Sequence, residues 1–196
     1  MCPFYHDSRQ FDKLLRRAVL DEFLFALYNS HKIGCARKDN YMNHIYDELN
    51  SAVDAFYQKY KDLNNDITSK RIGADNWTLK EIIGHLIDSA CNNHQRFVRL
   101  QIVDELIFPG FGKYNSKWIQ IAGYNEMNFS DLMLLWKQYN ILIDNIIKVV
   151  DESKLEHRWK NPEGDKKTLS DLMIDYVRHL KDHLQHFEQT LRAINR

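Results

Sequence analysis

Apolar positions recur at intervals of three and four along most of the chain, and the polar stretches between them divide it into segments that read as helices. The first runs from Phe11 to about Tyr28, with Phe11, Leu14, Leu15, Ala18, Phe25 and Ala26 as a loose stripe among charges; residues 30–40, with Gly34 and mixed polar side chains, read as a connector. A cleaner stripe of Met42, Ile45, Leu49, Ala52, Val53, Phe56, Tyr60 and Leu63 predicts a long helix with one buried face. Thr78-Leu79-Lys80-Glu81 has the capping-box form, a hydroxyl with a glutamate three residues on, and opens a helix expected to continue to about Ile107, ahead of the break at Pro109-Gly110-Phe111-Gly112. A short amphipathic piece from Trp118 to Ala122 follows. Ser130 is the expected N-cap of the next helix, whose inner face carries Leu132, Leu135, Trp136, Tyr139, Leu142, Ile143, Ile146, Ile147 and Val150. Residues 151–167 form a polar excursion holding Trp159. Thr168-Leu169-Ser170-Asp171 then launches a last helix that reaches about Ala193.

Long helices with one or two long connections predict an all-α fold, a four-helix bundle over residues 41–196 with a long crossover loop. Residues 1–40 stand before it as an extension. Either they add a helix that packs on the bundle or they belong to an upstream start, with Met42 an initiator; their stripe favours the added helix.

Composition narrows the function. Twenty-seven basic residues balance 27 acidic ones without a basic block, so no electrostatic footprint for nucleic acid is present. Three cysteines, Cys2, Cys35 and Cys91, lack any C-x-x-C spacing and suit a reducing cytoplasm. The N-terminal apolar stretch is broken by Asp21 and Glu22, unlike a signal peptide, and no apolar run approaches the roughly 18 residues of a membrane span.

The candidate chemistry centres on His179 and His183. A spacing of four puts both imidazoles on one face of the last helix, one turn apart. A pair of this kind also arises on helix surfaces by chance, since the chain has nine histidines. One helix cannot close a coordination sphere, so a metal needs a third ligand from elsewhere, and His85, set among isoleucines and leucines, is the best placed; a ring in such surroundings needs a partner for its nitrogens. Three neutral imidazoles bind zinc, nickel or ferrous iron and leave a position open to water or a thiol. Asp88, three residues after His85, can take a proton or orient a ligand, or be a solvated carboxylate. Asn92 and Arg96 continue that face, where Arg96 can grip an anionic substrate group or simply form a surface salt bridge. His186 is set aside because a fourth histidine would close the open position; His94 and His157 sit in polar surroundings and are expected to face water. Trp118 and Tyr124, in the crossover, can fold across a bundle end and line a substrate pocket.

The run Asn76-Trp77-Thr78-Leu79-Lys80-Glu81-Ile82-Ile83-Gly84-His85-Leu86-Ile87-Asp88-Ser89-Ala90, then Arg96-Phe97, Trp118 and finally His179-Leu180-Lys181-Asp182-His183 resembles the DinB-like metalloprotein superfamily over about Met42 to Leu191. The resemblance implies a four-helix bundle with a divalent metal held by the residues matching His85, His179 and His183. It also implies a small-molecule substrate and, commonly, a homodimer. Relatives include S-transferases that use low-molecular-weight thiols such as bacillithiol and a mycothiol-dependent isomerase, while others are taken to be metal-dependent hydrolases. The leading expectation is therefore a thiol-dependent S-transferase acting on a small electrophile. The alternatives are a hydrolase using water as nucleophile, with Asp88 as base, and a helical interaction module that the metal merely braces.

Overall fold

Apolar stripes on four long helices meet in one core. The computed structural model describes residue 42 and residues 44–74, 76–110 and 112–196. The helix expected over Phe11–Tyr28, and the whole extension 1–40, lie outside the described residues. Helix α1 occupies residues 44–60 and a short α2 spans Asn65–Thr68. The bundle continues with α3 (Leu79–Leu100), a crossover containing α4 (Asn115–Ala122), then α5 (Phe129–Lys148) and α6 (Leu169–Ile194). The expected four-helix bundle is formed by α1, α3, α5 and α6.

Both capping boxes form. Thr78 Oγ1 accepts from the Glu81 amide while Glu81 Oε2 accepts from the Thr78 amide at 2.8 Å, and Thr168 and Asp171 make the same reciprocal pair at the start of α6. Each box satisfies amide donors that a helix start otherwise leaves bare. These caps fix where α3 and α6 begin, and hence the height of every histidine along them.

Aromatic side chains fill the centre. Phe56 of α1 meets Trp136 of α5 edge-on at 5.5 Å and Phe187 of α6 at 5.0 Å, and Trp136, Phe129 and Phe187 are fully buried. At the rim, Lys59 and Tyr60 of α1 both reach Glu188 of α6, at 2.9 and 2.7 Å. Lys137 of α5 pairs with Asp54 of α1 at 2.8 Å.

Three boundaries differ from the sequence expectation. Helix α3 stops at Leu100 rather than Ile107, and Glu105–Ile107 instead form a strand, β1. His157 explains the early stop: its Nδ1 lies 2.6 Å from the Leu100 carbonyl and its Nε2 3.2 Å from Asp104, so it satisfies an orphan carbonyl at the helix end. His157 is thus a packed end-group, not the water-facing residue expected. The α5 cap is Asn128, whose Oδ1 accepts from both the amide and the hydroxyl of Ser130, two residues past the cap. The excursion over 151–167 also contains structure that no periodicity signalled. Arg158–Lys160 (β2) pairs in parallel with β1 and antiparallel with Lys166–Thr168 (β3), giving a small sheet in the order β1-β2-β3. This sheet carries Trp159 to the side of α3.

Candidate metal centre

His85 comes from the second turn of α3, and His179 and His183 from the middle of α6. Because α3 and α6 are packed neighbours, the three rings meet between them. His85 Nε2 lies 3.2 Å from His179 Nε2, and one ring nitrogen from each histidine lies within 4.8 Å of those of the other two. Nitrogens bound at 2.0–2.1 Å around a tetrahedral ion stand roughly 3.3 Å apart, so the measured pair is already at ligand spacing. Ring centroids are 4.5 Å apart for His85–His183 and for His179–His183.

The surroundings keep the rings neutral. Burial, reinforced by the other two histidines, pushes His85 down to about 3; burial first, then the neighbouring histidines, takes His183 down to about 4. Burial also lowers His179, against the opposing pull of Asp182 and Asp175. Neutral imidazole is the form that binds a metal. His183 Nδ1 is buried without a hydrogen-bond partner, a cost that an ion would remove. On the observed donor set, three neutral nitrogens at this spacing fit one divalent ion.

Supporting contacts orient the rings. Ser89 Oγ stands 3.5 Å from His179 Nδ1, on the opposite side of the ring from the shared Nε2. Trp77 stacks on His183 with an interplanar angle of 15° and touches His85 at 5.1 Å between centroids. His186, 6.2 Å from His183 between centroids, is outside the group of three.

A cavity of about 480 Å³ opens on the His85 and His179 side. Helix α3 contributes His85, Ser89, Asn93 and Arg96 to its wall, and α6 contributes Asp175, Tyr176 and His179. The β2–β3 hairpin supplies Trp159, Asn161, Asp165 and Lys167. The α3 wall therefore runs through Ser89 and Asn93 rather than Asp88 and Asn92. Steps of three and four residues leave a helix face by about 60° behind and 40° ahead, and the cavity lies on the four-residue side.

No family profile matches the chain. It is 29% identical over 129 residues to a protein of Oceanobacillus iheyensis provisionally named a metal-dependent hydrolase, covering 64% of this chain and 71% of that one. YfiT from Bacillus subtilis, described as a probable metal-dependent hydrolase with an unusual four-helix bundle topology, superposes with a TM-score of 0.69 at 16% identity, over 79% of this chain and 87% of its own. The mycothiol-dependent maleylpyruvate isomerase superposes with a TM-score of 0.60 at 13% identity, over 73% of this chain and 59% of its own length. The chain shares the bundle fold of these two structures.

Within this bundle the remaining expected site residues fall as follows. Asp88 does not line the cavity: its Oδ1 accepts a 2.6 Å hydrogen bond from Tyr124, and burial raises its carboxyl against that bond. Tyr124 is itself buried, 8% exposed, and its ring lies on the α3 backbone at Gly84, where an added Cβ would stand 2.1 Å from its Cδ2. Trp118 is 49% exposed on α4 and is not part of the cavity wall. Arg96 does line it, and in place of a surface salt bridge it is 9% exposed with its guanidinium carbon 4.4 Å over the Trp159 ring. Ser89 and Asn93, missed in the sequence, were open to helix arithmetic from His85. Trp159 and Asn161 were not, because they arrive from a hairpin more than 60 residues away.

Proposed function

We propose that this protein is a metal-dependent enzyme acting on a small molecule held in the α3/α6 cavity, with His85, His179 and His183 as the ligands of a divalent ion, zinc, nickel or iron. The observation that carries the reading is the convergence of three neutral imidazoles, His85 buried and His179 and His183 half-buried, beside a cavity that reaches two of them. The ion would supply Lewis acidity, favouring the deprotonated form of a thiol or water brought to it. The chain's own residues set the stage. Ser89 holds the His179 ring in register, and Trp77 covers the His183 and His85 rings on one side, so that access is from the cavity. Asp88 and Tyr124 act on this reading as support behind α3, steadying the turn that carries His85, rather than as base and substrate contact.

Of the two reaction classes we favour thiol-dependent S-transfer over hydrolysis. The cavity wall carries both charge signs, Arg96 and Lys167 together with Asp165 and Asp175, and low-molecular-weight thiols derived from cysteine carry both amino and carboxylate groups. Zinc-loaded protein incubated with a generic electrophile tests this. Product formation that depends on added thiol supports transfer; turnover that is indifferent to thiol establishes hydrolysis instead. Loss of turnover in His85→Ala with the fold intact excludes the metal-braced interaction module. We further propose a homodimer, supported by the exposed Leu134, Leu135 and Leu142 on α5, of which Leu135 and Leu142 lie outside the inner face that the periodicity assigned them, and a reducing cytoplasmic setting, in which the exposed Cys91 stays a thiol. Light scattering at micromolar concentration checks the dimer. Among the described residues no helix is long and apolar enough to cross a membrane.

A further inference from the structure

Arg96 stands three turns beyond His85 on the same cavity wall and is a buried cation without a counter-ion. Its Nη1 donates to Asn93 Oδ1 at 3.4 Å and its Nη2 to the Pro109 carbonyl at 3.3 Å, both long for a charged donor, and Nε has no acceptor. Among the described residues no carboxylate pairs with it. The other cations of the cavity are matched, since Lys167 and Arg178 both pair with Asp175, Arg178 at 2.6 Å. Of the two hairpin acids on the cavity wall, Glu163 and Asp165, the latter accepts from the Asn161 amide group at 2.7 Å. A guanidinium withdrawn from water is costly unless an anion answers it. Burial lowers Arg96 to about 10, which leaves it charged at neutral pH.

The site around this charge is built rather than incidental. The guanidinium carbon lies 4.4 Å over the centre of the Trp159 ring, and Trp159 is held in turn by its Nε1–H bond to the Phe108 carbonyl at 2.8 Å. A guanidinium seated over an indole keeps its N–H donors for an acceptor in its own plane, the geometry a carboxylate meets. We propose that Arg96, seated over Trp159, anchors a carboxylate of the ligand whose reactive end lies at His85 and His179. Eleven residues of helix separate the two anchors by about 16 Å between Cα atoms, and the long Arg96 side chain, reaching back to Asn93, shortens that gap, so the ligand spans on the order of 10 Å. The ligand class is thus a carboxylic acid with its reactive group several bonds away, whether that acid belongs to the thiol or to the electrophile. The position of the reactive end rests on the metal-centre reading; the carboxylate anchor does not.

Calorimetric titration of the zinc-loaded full chain, under reducing conditions, with hexanoate, hexanamide and 6-mercaptohexanoate tests the proposal. Hexanoate is expected to bind at least about tenfold more tightly than hexanamide. That preference is expected to survive in His85→Ala and to vanish in Arg96→Gln. Should Arg96→Gln fail to fold, Arg96→Lys retains a charge but not the planar edge and is expected to lose several-fold in hexanoate affinity. Equal binding of acid and amide, or unchanged hexanoate affinity in the Arg96 variants, overturns the anchor. A gain for 6-mercaptohexanoate over hexanoate that disappears in His85→Ala assigns the carboxylate to the thiol; equal affinity assigns it to the electrophile. If the acid preference persists while metal binding proves absent, the metal-centre reading fails and the anchor stands.

Discussion

Replacing Gly84 with alanine sets two effects of opposite sign against each other. Alanine is favoured over glycine inside a helix by about 1 kcal/mol, so on propensity alone the substitution in α3 stabilises. The structure predicts the reverse. A Cβ at position 84 would stand 2.1, 2.2 and 2.6 Å from Cδ2, Cγ and Cε2 of Tyr124, atoms of a rigid ring rather than the end of a flexible chain. The ring must retreat by about 1.5 Å to restore van der Waals contact, at an overpacking cost of about 1–3 kcal/mol. Its hydroxyl then leaves Asp88, whose Oδ2 is already buried without a partner, and losing the 2.6 Å bond costs about another 1–3 kcal/mol. The net loss is about 1–5 kcal/mol, which at about 2–4 °C per kcal/mol for a chain of this size lowers Tm by about 2–20 °C. Thermal unfolding of metal-free protein is the assay, because bound metal would add its own linkage. In a Tyr124→Ala background the obstacle is gone, and Gly84→Ala is expected to become neutral or stabilising. Wild-type stability of Gly84→Ala, or the same loss in both backgrounds, refutes the reasoning that Tyr124 seals the back of the His85 turn.

Burial pushes the Asp144 carboxyl up to about 6, with Lys148 opposing and Asp47 and Asp54 adding to the rise. The folded state keeps this proton where the unfolded chain, near 3.8, has released it. Stability contributed by the group therefore falls as pH rises from about 4 to 6 and stays low above that, so Asp144→Asn is expected to raise Tm at pH 7.5 and not at pH 4; an equal shift at both values counts against a buried acid. Ser89→Ala removes the oxygen beside His179 Nδ1 and is expected to weaken metal affinity about tenfold in chelator competition, with unchanged affinity showing that Ser89 orients nothing. Thr168→Ala breaks the cap of α6 and is expected to cost about 1 kcal/mol, or about 2–4 °C in Tm, read by circular dichroism.

Local signals carried most of what could be read in advance. The hydroxyl-acid pairs at Thr78/Glu81 and Thr168/Asp171 act within four residues, so both helix starts were legible without any tertiary knowledge. The spacing of His179 and His183 was legible for the same reason. Where the outcome depended on a distant partner, the reading went astray. The end of α3 is decided by His157, which arrives 57 residues later to meet Leu100. Strands of three residues, one of them Lys166-Lys167-Thr168, have too short a period to stand out, so the sheet and its Trp159 were invisible. Arg96 lost its expected surface role because Trp159 covers it. Asp88 and Ser89 are one residue apart and flank His85 almost symmetrically; only the packing of α6 decides which of them looks into the cavity.

Metal content tests the central claim most directly. After zinc loading and removal of loosely held ions against a mild chelator, elemental analysis is expected to find about one zinc per chain in the wild type. His85→Ala, His179→Ala and His183→Ala, each with helical circular dichroism retained, are expected to lose nearly all of it, while His186→Ala keeps it. A folded His85→Ala protein that holds as much zinc as the wild type would contradict the account.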